Sequence, residues 1–428
     1  MDTIFALATA PGRAGVSVIR VSGPEAFASL SSIAKSTPSP RTAGLTTLTN
    51  TNAEVLDQAL ILTFPGPGSF TGEDVVEYHT HGSIAVVEAV QRELATHYGH
   101  RRAEAGEFTR RALMNGKMDL TQVEGLADLI EAQTEVQRQQ AQQVVSGAFA
   151  SFVSSVRHDI VRAAALLEAA MDFADEEVPV DVTPEVVALL DKSVEQLNRH
   201  IEGYRFSERV RSGFEVAIIG EPNVGKSTLL NALAGREASI TSVYAGTTRD
   251  IVEVQMNLDG IPVTILDTAG LRKTEDHVEK LGIERARSRA ESADLRILLV
   301  EQDVPDGIKL MSGDLKLHAK ADTYEGELPS VSGSTGLGLD ALVSHVTSEL
   351  SRRVQKAGLA TRHRHFEDMK RSLIYIAEAK SVMLGKTSQY DIAAEELRSA
   401  RHALGSIVGH VDVENLLDVI FSSFCIGK

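Results

Sequence analysis

A single cysteine, Cys425, stands in a chain of 428 residues. No intramolecular disulfide can staple the fold, and such sparing use suits a reducing compartment. Tryptophan is absent and aromatic residues make up only 5 % of the chain, so Leu, Val, Ile and Ala must build the core. An excess of positive charge is missing as well: 43 Lys and Arg against 59 Asp and Glu give a net charge of −16. A sequence-independent nucleic-acid binder is ordinarily basic, so that class is excluded and an RNA partner requires a local patch. Arg101–Arg102, Arg110–Arg111 and Arg352–Arg353 are the candidates, although such pairs are more often plain solvated surface. The chain has no uncharged apolar run long enough to span a bilayer, and its first residues lack a basic-then-apolar leader pattern. The expectation is a cytoplasmic protein.

The length suggests two to four domains. Over residues 1–117, short β-type runs (Val16–Val21, Ala59–Phe64, Val75–His79) alternate with helical ones (Ala85–His97), which predicts a small α+β domain. From Asp119 the apolar spacing turns helical: Leu120, Val123, Leu126, Leu129 and Ile130, then Val161, Ala164, Ala165 and Leu167. Thr183-Pro184 reads as an N-cap followed by Pro at the first helical position, with Val187, Leu190, Val194, Leu197 and Ile201 on one face behind it. Helical periodicity pauses at Ser212-Gly213 and resumes after Leu350-Ser351, for example at Leu397, Ala400, Leu404 and Ile407. The boundaries are 1–117, a helical part at 118–212, a nucleotide domain at 213–352 and a second helical part at 353–428. The fold class is multidomain α+β and α/β, with a Ras-like phosphate-loop domain inserted into a helical one.

That nucleotide domain rests on Gly220-Glu221-Pro222-Asn223-Val224-Gly225-Lys226-Ser227, which fits G-x-x-x-x-G-K-[ST]. It follows the apolar run Val216–Ile219 and opens the helical pattern Thr228–Leu233, the strand–loop–helix context that makes the motif a phosphate cradle. Its glycines let backbone N–H groups face a polyphosphate, Lys226 can reach the β- and γ-phosphates, and Ser227 can bind Mg²⁺. A second signal lies downstream, where the strand pattern Ile261–Leu266 ends in Asp267-Thr268-Ala269-Gly270. Asp267 can hold the Mg²⁺ shell through water, and the Gly270 N–H can meet a γ-phosphate. Between them, Ala245-Gly246-Thr247-Thr248-Arg249-Asp250 offers a threonine to close that shell. The three signals together specify a GTPase.

Base recognition is thinner. The best match to Asn-Lys-x-Asp is Ala319-Lys320-Ala321-Asp322. Asp322 can accept from guanine N1 and N2, but the missing Asn costs about 1–3 kcal/mol. Residues 302–317 are short for a helix and a strand, and Ser332-Gly333-Ser334 is equally a base-backing loop or a plain turn. Leu271 stands where many GTPases position water with Gln; Glu275, Asp276, Glu279 and Glu284 lie downstream.

Further marks run almost end to end: Asp2-Thr3-Ile4 with Pro11-Gly12-Arg13, Ser69–Asp74, Gly106–Thr109, Asn115–Leu120, the Thr247–Asp250 segment, and the terminal Cys425-Ile426-Gly427-Lys428. With these the chain resembles the MnmE (TrmE) family of tRNA-uridine-modifying GTPases. The resemblance implies an N-terminal domain that binds a 5-formyltetrahydrofolate-type one-carbon donor through Arg20, Glu77, Lys117 and Lys428, and that builds a homodimer. It implies K⁺ held by Asn223, Ser242, Tyr244 and Thr247, Mg²⁺ held by Ser227 and Thr248, and Glu279 as the catalytic, water-positioning group. Nucleotide contacts would come from Asn223, Val224, Gly225, Lys226, Ser227 and Thr228, from Ser242, Val243, Tyr244, Ala245, Gly246, Thr247 and Thr248, from Asp267, Thr268, Ala269 and Gly270, and from Lys320 and Asp322. An FAD-dependent partner of the MnmG type would complete a heterotetramer that acts on tRNA and carboxymethylaminomethylates C5 of the wobble uridine. Cys425 is either a functional thiol or a small buried apolar residue. A ribosome-assembly GTPase without modification chemistry is the alternative reading; the folate-type residues and the terminal tetrad weigh against it.

Overall fold

The structure is a computed structural model. It describes residues 2–172, 181–237, 252–267, 288–301, 311, 313–326, 328–385, 389–409, 417–418, 420–421, 424 and 426–427. Two compact units emerge, Met1–Ala127 with Gly405–Lys428, and Asp128–Leu404.

In the first unit the alternating runs become β1 (Thr3–Leu7), β2 (Ala14–Ser22), β3 (Gly44–Thr49), β4 (Val55–Phe64), β5 (Val75–Gly82) and β6 (His100–Arg102). They form one sheet in the order β3-β4-β5-β2-β1-β6, antiparallel except for the β1–β6 pair. Period-two alternation sends Phe5, Ile19, Val21, Ile61 and Tyr78 to one face. There they pack with Leu30 and Ile33 of α1 (Ala26–Ile33) and Val90 and Leu94 of α2 (Ile84–Leu94). The opposite face is only partly covered. Ile4, Ala6 and Ala103 pack on Phe108 of α3 (Glu107–Met114), while Leu45 and Leu60 remain exposed. The helix α4 (Leu120–Glu131) follows.

The second unit begins with α5 (Glu135–Val145), fixed at its start by a capping box in which the Thr134 hydroxyl accepts from the Gln137 N–H and the Gln137 side chain accepts from the Thr134 N–H. Then come α6 (Ala148–Asp172) and α7 (Thr183–Ser212). The buried stripe of α7 is Val186, Leu190, Ser193, Leu197 and Tyr204. Each apolar side chain of that stripe contributes about 1.5–3 kcal/mol by leaving water. Thr183 proves to be the first helical residue and not the cap. Val182 occupies the cap position, and the Asp181 carboxylate accepts the Thr183 N–H at 3.0 Å, doing the work expected of the threonine hydroxyl. Val161 and Ala165, expected on the apolar face of α6, are exposed; Leu167 is buried there as expected, joined by Ala163.

After α7 the chain enters a second sheet. Its members are β7 (Phe214–Gly220), β8 (Val252–Leu258), β9 (Ile261–Asp267), β10 (Leu295–Val300), β11 (Leu315–Ala319) and β12 (Ser330–Val331), with α8 (Lys226–Glu237) after β7 and α9 (Leu339–Val354) after β12. The order is β12-β11-β10-β7-β9-β8. All neighbours are parallel except β8 and β9, and the core is a Val, Ile and Leu cluster, as buried parallel strands require. The helices α10 (His363–Met383) and α11 (Tyr390–Val408) resume the bundle, with α6 and α10 both against α7. The phosphate-loop domain is thus inserted between helices of one bundle.

Candidate functional sites

The phosphate loop sits where chain order reverses across the sheet, since β7 lies between β9 and β10. Ligands bind outside the carboxyl ends of parallel strands at such a switch point. Asn223 adopts a left-handed φ of 65°, and Gly225 follows with φ 108°. Consecutive N–H groups around such a residue form an anion-binding concavity. The Val224 N–H closes the turn on the Glu221 carbonyl at 3.4 Å, and the Leu229 N–H starts the helix on the Gly225 carbonyl. Lys226 is buried; its Nζ donates to the Gly220 and Glu221 carbonyls at 2.8 and 2.7 Å. The ammonium is therefore anchored at the mouth of the loop. Ser227 and Thr228 occupy the first turn of α8, and Asp267 ends β9 opposite Ile218 of β7. Asn223, Val224, Gly225, Lys226, Ser227, Thr228 and Asp267 are thus brought to one end of the sheet.

The base-reading segment lies at the end of β11. Ala319 is buried in the apolar core, 1 % exposed. The Ala321 N–H donates to the Val331 carbonyl at 3.3 Å. The Asp322 carboxyl is held below the ordinary carboxylate range by the Ser332 side chain first, then by its own backbone N–H and by Lys320. The structure therefore puts Ser332-Gly333-Ser334 beside Asp322, the contact a base-backing loop needs. A Cβ on Gly333 would lie 2.7 Å from the Leu229 nitrogen, so this loop packs backbone to backbone on α8. Lys320 pairs with Glu301 at 2.5 Å. Of the 302–317 segment expected to be short, residues 302–310 and 312 lie outside the described residues, and β11 supplies the strand.

Ser242, Val243, Tyr244, Ala245, Gly246, Thr247, Thr248, Thr268, Ala269, Gly270, Glu279, Lys428 and Cys425 also lie outside the described residues.

In the first unit, β2 and β5 pair in a register that sets Arg20 opposite Glu77. Arg20 Nε and Nη2 donate to Glu77 Oε1 at 3.0 and 2.8 Å. The guanidinium lies 5.3 Å from the Phe70 ring centre and 5.8 Å from that of Phe108. Neither aromatic was singled out as a contact from sequence, although Phe70 falls within the Ser69–Asp74 mark. Arg20 is thus engaged with Glu77, and Lys117 is exposed. The loop that carries Phe70 is tied down from three sides. Asn115 Nδ2 donates to the Thr71 carbonyl at 2.7 Å. Ser22 Oγ donates to Glu73 Oε2 at 2.7 Å, and Arg111 Nη1 reaches both Glu73 oxygens at 3.1 Å. A Cβ on Gly72 would touch Lys117 Cε at 3.4 Å, so Lys117 lies against the same loop. The terminal segment comes to this domain as well: Ile426 bridges Ala105, and Gly427 packs on Leu7.

The arginine pairs read as candidate RNA patches are mostly engaged within the chain. Arg101 bonds Asp2 and Glu107, Arg110 bonds Asp418, Arg111 bonds Asp2, Glu73 and Glu107, Arg352 bonds Glu349, and Arg353 donates to the Asp294 carbonyl. No group of three or more His, Cys, Asp or Glu suited to a metal ion is found among the described residues, and no helix among them is long and apolar enough to cross a membrane.

Comparison with known proteins covers the whole chain. The family described as "GTP-binding protein TrmE N-terminus" matches residues 3–117, and the "MnmE helical domain" matches residues 120–425. A protein named tRNA modification GTPase MnmE from Ruegeria sp. (strain TM1040) is 54 % identical over 100 % of both chains. Its namesake from Roseobacter denitrificans is also 54 % identical over 100 % of both, and that from Paracoccus denitrificans is 46 % identical over 100 % of both. Among solved structures, the G domain of the T. maritima FeoB iron transporter aligns with 33 % of this chain and 98 % of its own at 23 % identity and a TM-score of 0.23, a score too low to bear on the fold. Full-length identity at this level, together with both family matches, settles the kinship: the chain belongs to the MnmE family.

Proposed function

We propose that this chain is the GTP-hydrolysing subunit of a tRNA-modification system. The observation that carries this reading is the phosphate loop: a left-handed Asn223, the Lys226 ammonium anchored on the Gly220 and Glu221 carbonyls, and Ser227 opening α8 at the switch point of a six-stranded sheet. The full-length likeness to relatives named tRNA modification GTPases supports the second half. In this reading the loop N–H groups and Lys226 hold the β- and γ-phosphates, and Asp322 takes the guanine N1 and N2 donors. Glu279 orients the attacking water, in place of the side chain Leu271 cannot provide.

Oxygen donors at Ser227, Thr248 and Asp267 suit Mg²⁺, and the Asn223 amide oxygen with Ser242, Tyr244 and Thr247 suits K⁺. When bound, the two cations would neutralise charge that develops on the transferred phosphoryl oxygens. Arg20, Glu77, Lys117 and Lys428 hold a 5-formyltetrahydrofolate-type donor in the N-terminal domain, which also pairs two copies of the chain; the half-covered sheet face with exposed Leu45 and Leu60 supports that pairing. Hydrolysis times a conformational cycle in which an FAD-dependent MnmG-type partner and the folate carry carboxymethylaminomethylation of C5 on the wobble uridine.

The test is GTP hydrolysis by the purified full chain in K⁺ and in Na⁺, with and without 5-formyltetrahydrofolate. Faster turnover in K⁺ is the expected result. Equal rates in the two salts would remove the Asn223 assignment, and no turnover in either would remove the GTPase reading.

A further inference from the structure

Glu77 and His79 stand two residues apart on β5, so their side chains leave the same face of the sheet. Arg20 occupies Oε1 of Glu77 with two N–H donors, which leaves Oε2 for something else. Facing Oε2 is His79 Nε2, 3.5 Å away. That nitrogen is buried and makes no hydrogen bond among the described residues. Buried polar atoms in native folds are rarely left without a partner, and those that are call for an explanation such as a missing ligand.

We infer that Glu77 Oε2 and His79 Nε2 form a paired acceptor for a planar heterocycle that presents two adjacent N–H donors, as on the amine–amide edge of a 2-amino-4-oxopteridine. This rests on the proposed folate site and extends it to a residue outside the Arg20, Glu77, Lys117 and Lys428 set. A carboxylate with both oxygens free can hold such an edge alone, one oxygen per donor. Glu77 has given one oxygen to Arg20, so the second acceptor comes from a neighbour. Neutral His79 with its proton on Nδ1 supplies it, because the Nε2 lone pair is then free to accept. The surroundings suit a flat ring. Val18 on β2 and Leu60 on β4 stand opposite His79, and Phe70 covers the adjoining Arg20.

Calorimetric titration of the full chain with 5-formyltetrahydrofolate and with its 2-desamino analogue tests the inference. His79→Leu is expected to weaken the natural folate about ten-fold. His79→Gln, whose amide oxygen accepts, keeps most of the affinity. The 2-desamino analogue, which lacks one donor, binds wild type and His79→Leu alike. His81→Ala retains the affinity, and unchanged thermal melting and GTP hydrolysis show that each variant is folded. Guanosine carries the same two donors. Guanosine binding that is lost in His79→Leu, with no folate binding, keeps the acceptor pair and reassigns the ligand to a purine. If His79→Leu matches wild type for folate while Glu77→Ala abolishes binding, His79 has no part in the site although the folate reading stands. If wild type binds neither folate nor guanosine there, both readings fall.

Discussion

Gly427 sits so close to Leu7 that a Cβ on it would lie 2.0 Å from the Leu7 carbonyl oxygen. Its φ of 99° is also one that side-chain-bearing residues rarely adopt. Leu7 ends β1, whose preceding residue Ala6 lies opposite Arg20 of β2. The contact therefore holds Gly427 against β1, the sheet neighbour of β2, and Lys428 is the next residue in the sequence. Gly427→Ala must push the segment away. The expected outcome is a loss of folate affinity of about ten-fold or more with GTP hydrolysis unaltered, read by calorimetry and phosphate release on one preparation. Wild-type folate affinity in the variant would detach Lys428 from the site.

A pH dependence of stability follows from Glu107. Burial opposes its charge, yet hydrogen bonds from Arg101 and the Glu104 N–H, joined by Arg111, outweigh that and hold the carboxyl below its ordinary 4.5. Arg101 meets the two oxygens at 2.8 and 2.5 Å. A carboxyl lowered in the folded state binds its proton more weakly there than in the unfolded chain. Its contribution is complete above the unfolded value and is lost as pH falls through the folded one. Glu107→Gln should cost about 3 kcal/mol at neutral pH and show a smaller further loss on acidification than wild type. Thermal melts from neutral pH to about pH 3 check this; parallel curves for the two proteins would show that Glu107 does not carry the effect.

The nucleotide fold was legible because its signals are local. The phosphate-loop spacing, the flanking apolar strand and the helical run after Lys226 all lie within about twenty residues of one another, and backbone geometry alone dictates them. Strand alternation in residues 1–117 was legible for the same reason. The Arg20–Glu77 pair is different. It depends on the register between β2 and β5, with 57 residues between the partners, and no periodicity encodes that register. Phe70 was silent because an aromatic in a loop has common structural uses, and His79, with His81, suggested at most a weak metal pair; only the neighbours that the sheet supplies set His79 beside Glu77. The α7 start was misread by a residue or two because Asp181 and Thr183 are both good caps, and their competition is settled in three dimensions.

Ala319 replaces the asparagine whose amide ordinarily ties the base-reading loop to neighbouring loops. In this chain the tie is carried by backbone: the Ala321 N–H on Val331, and Gly333 pressed against Thr228 and Leu229. The Ser332 side chain, more than any other group, holds the Asp322 carboxyl below its ordinary range, so in the proposed reading the base-reading carboxylate stays charged. Restoring the amide with Ala319→Asn should tighten GDP about ten-fold, measured with a fluorescent nucleotide, with the K⁺ response of hydrolysis unchanged. Unaltered affinity in a folded variant would mean that the backbone ties already do all that the amide could add.

Glu279 is the last element the hydrolysis reading needs. Leu271 directly follows Asp267-Thr268-Ala269-Gly270 in the sequence and carries no polar side-chain atom to orient water, so in the proposed reading another residue of the chain supplies that group. A carboxylate at position 279 can accept from the attacking water as it approaches the γ-phosphate, and positioned acid–base groups of this kind contribute roughly 10²- to 10⁴-fold. In the proposed reading Lys226 and the loop N–H groups hold the phosphates, so Glu279→Ala should lower turnover by that order while GTP binding stays near wild type. Glu279→Gln separates the two things the side chain can do. It keeps the length and one acceptor oxygen but loses the charge, so recovery of much of the rate would assign Glu279 to positioning, and a rate as low as that of the alanine variant would assign it to proton acceptance. Loss of GTP affinity in parallel with turnover would instead place Glu279 among the groups that hold the nucleotide, and the water would need another partner.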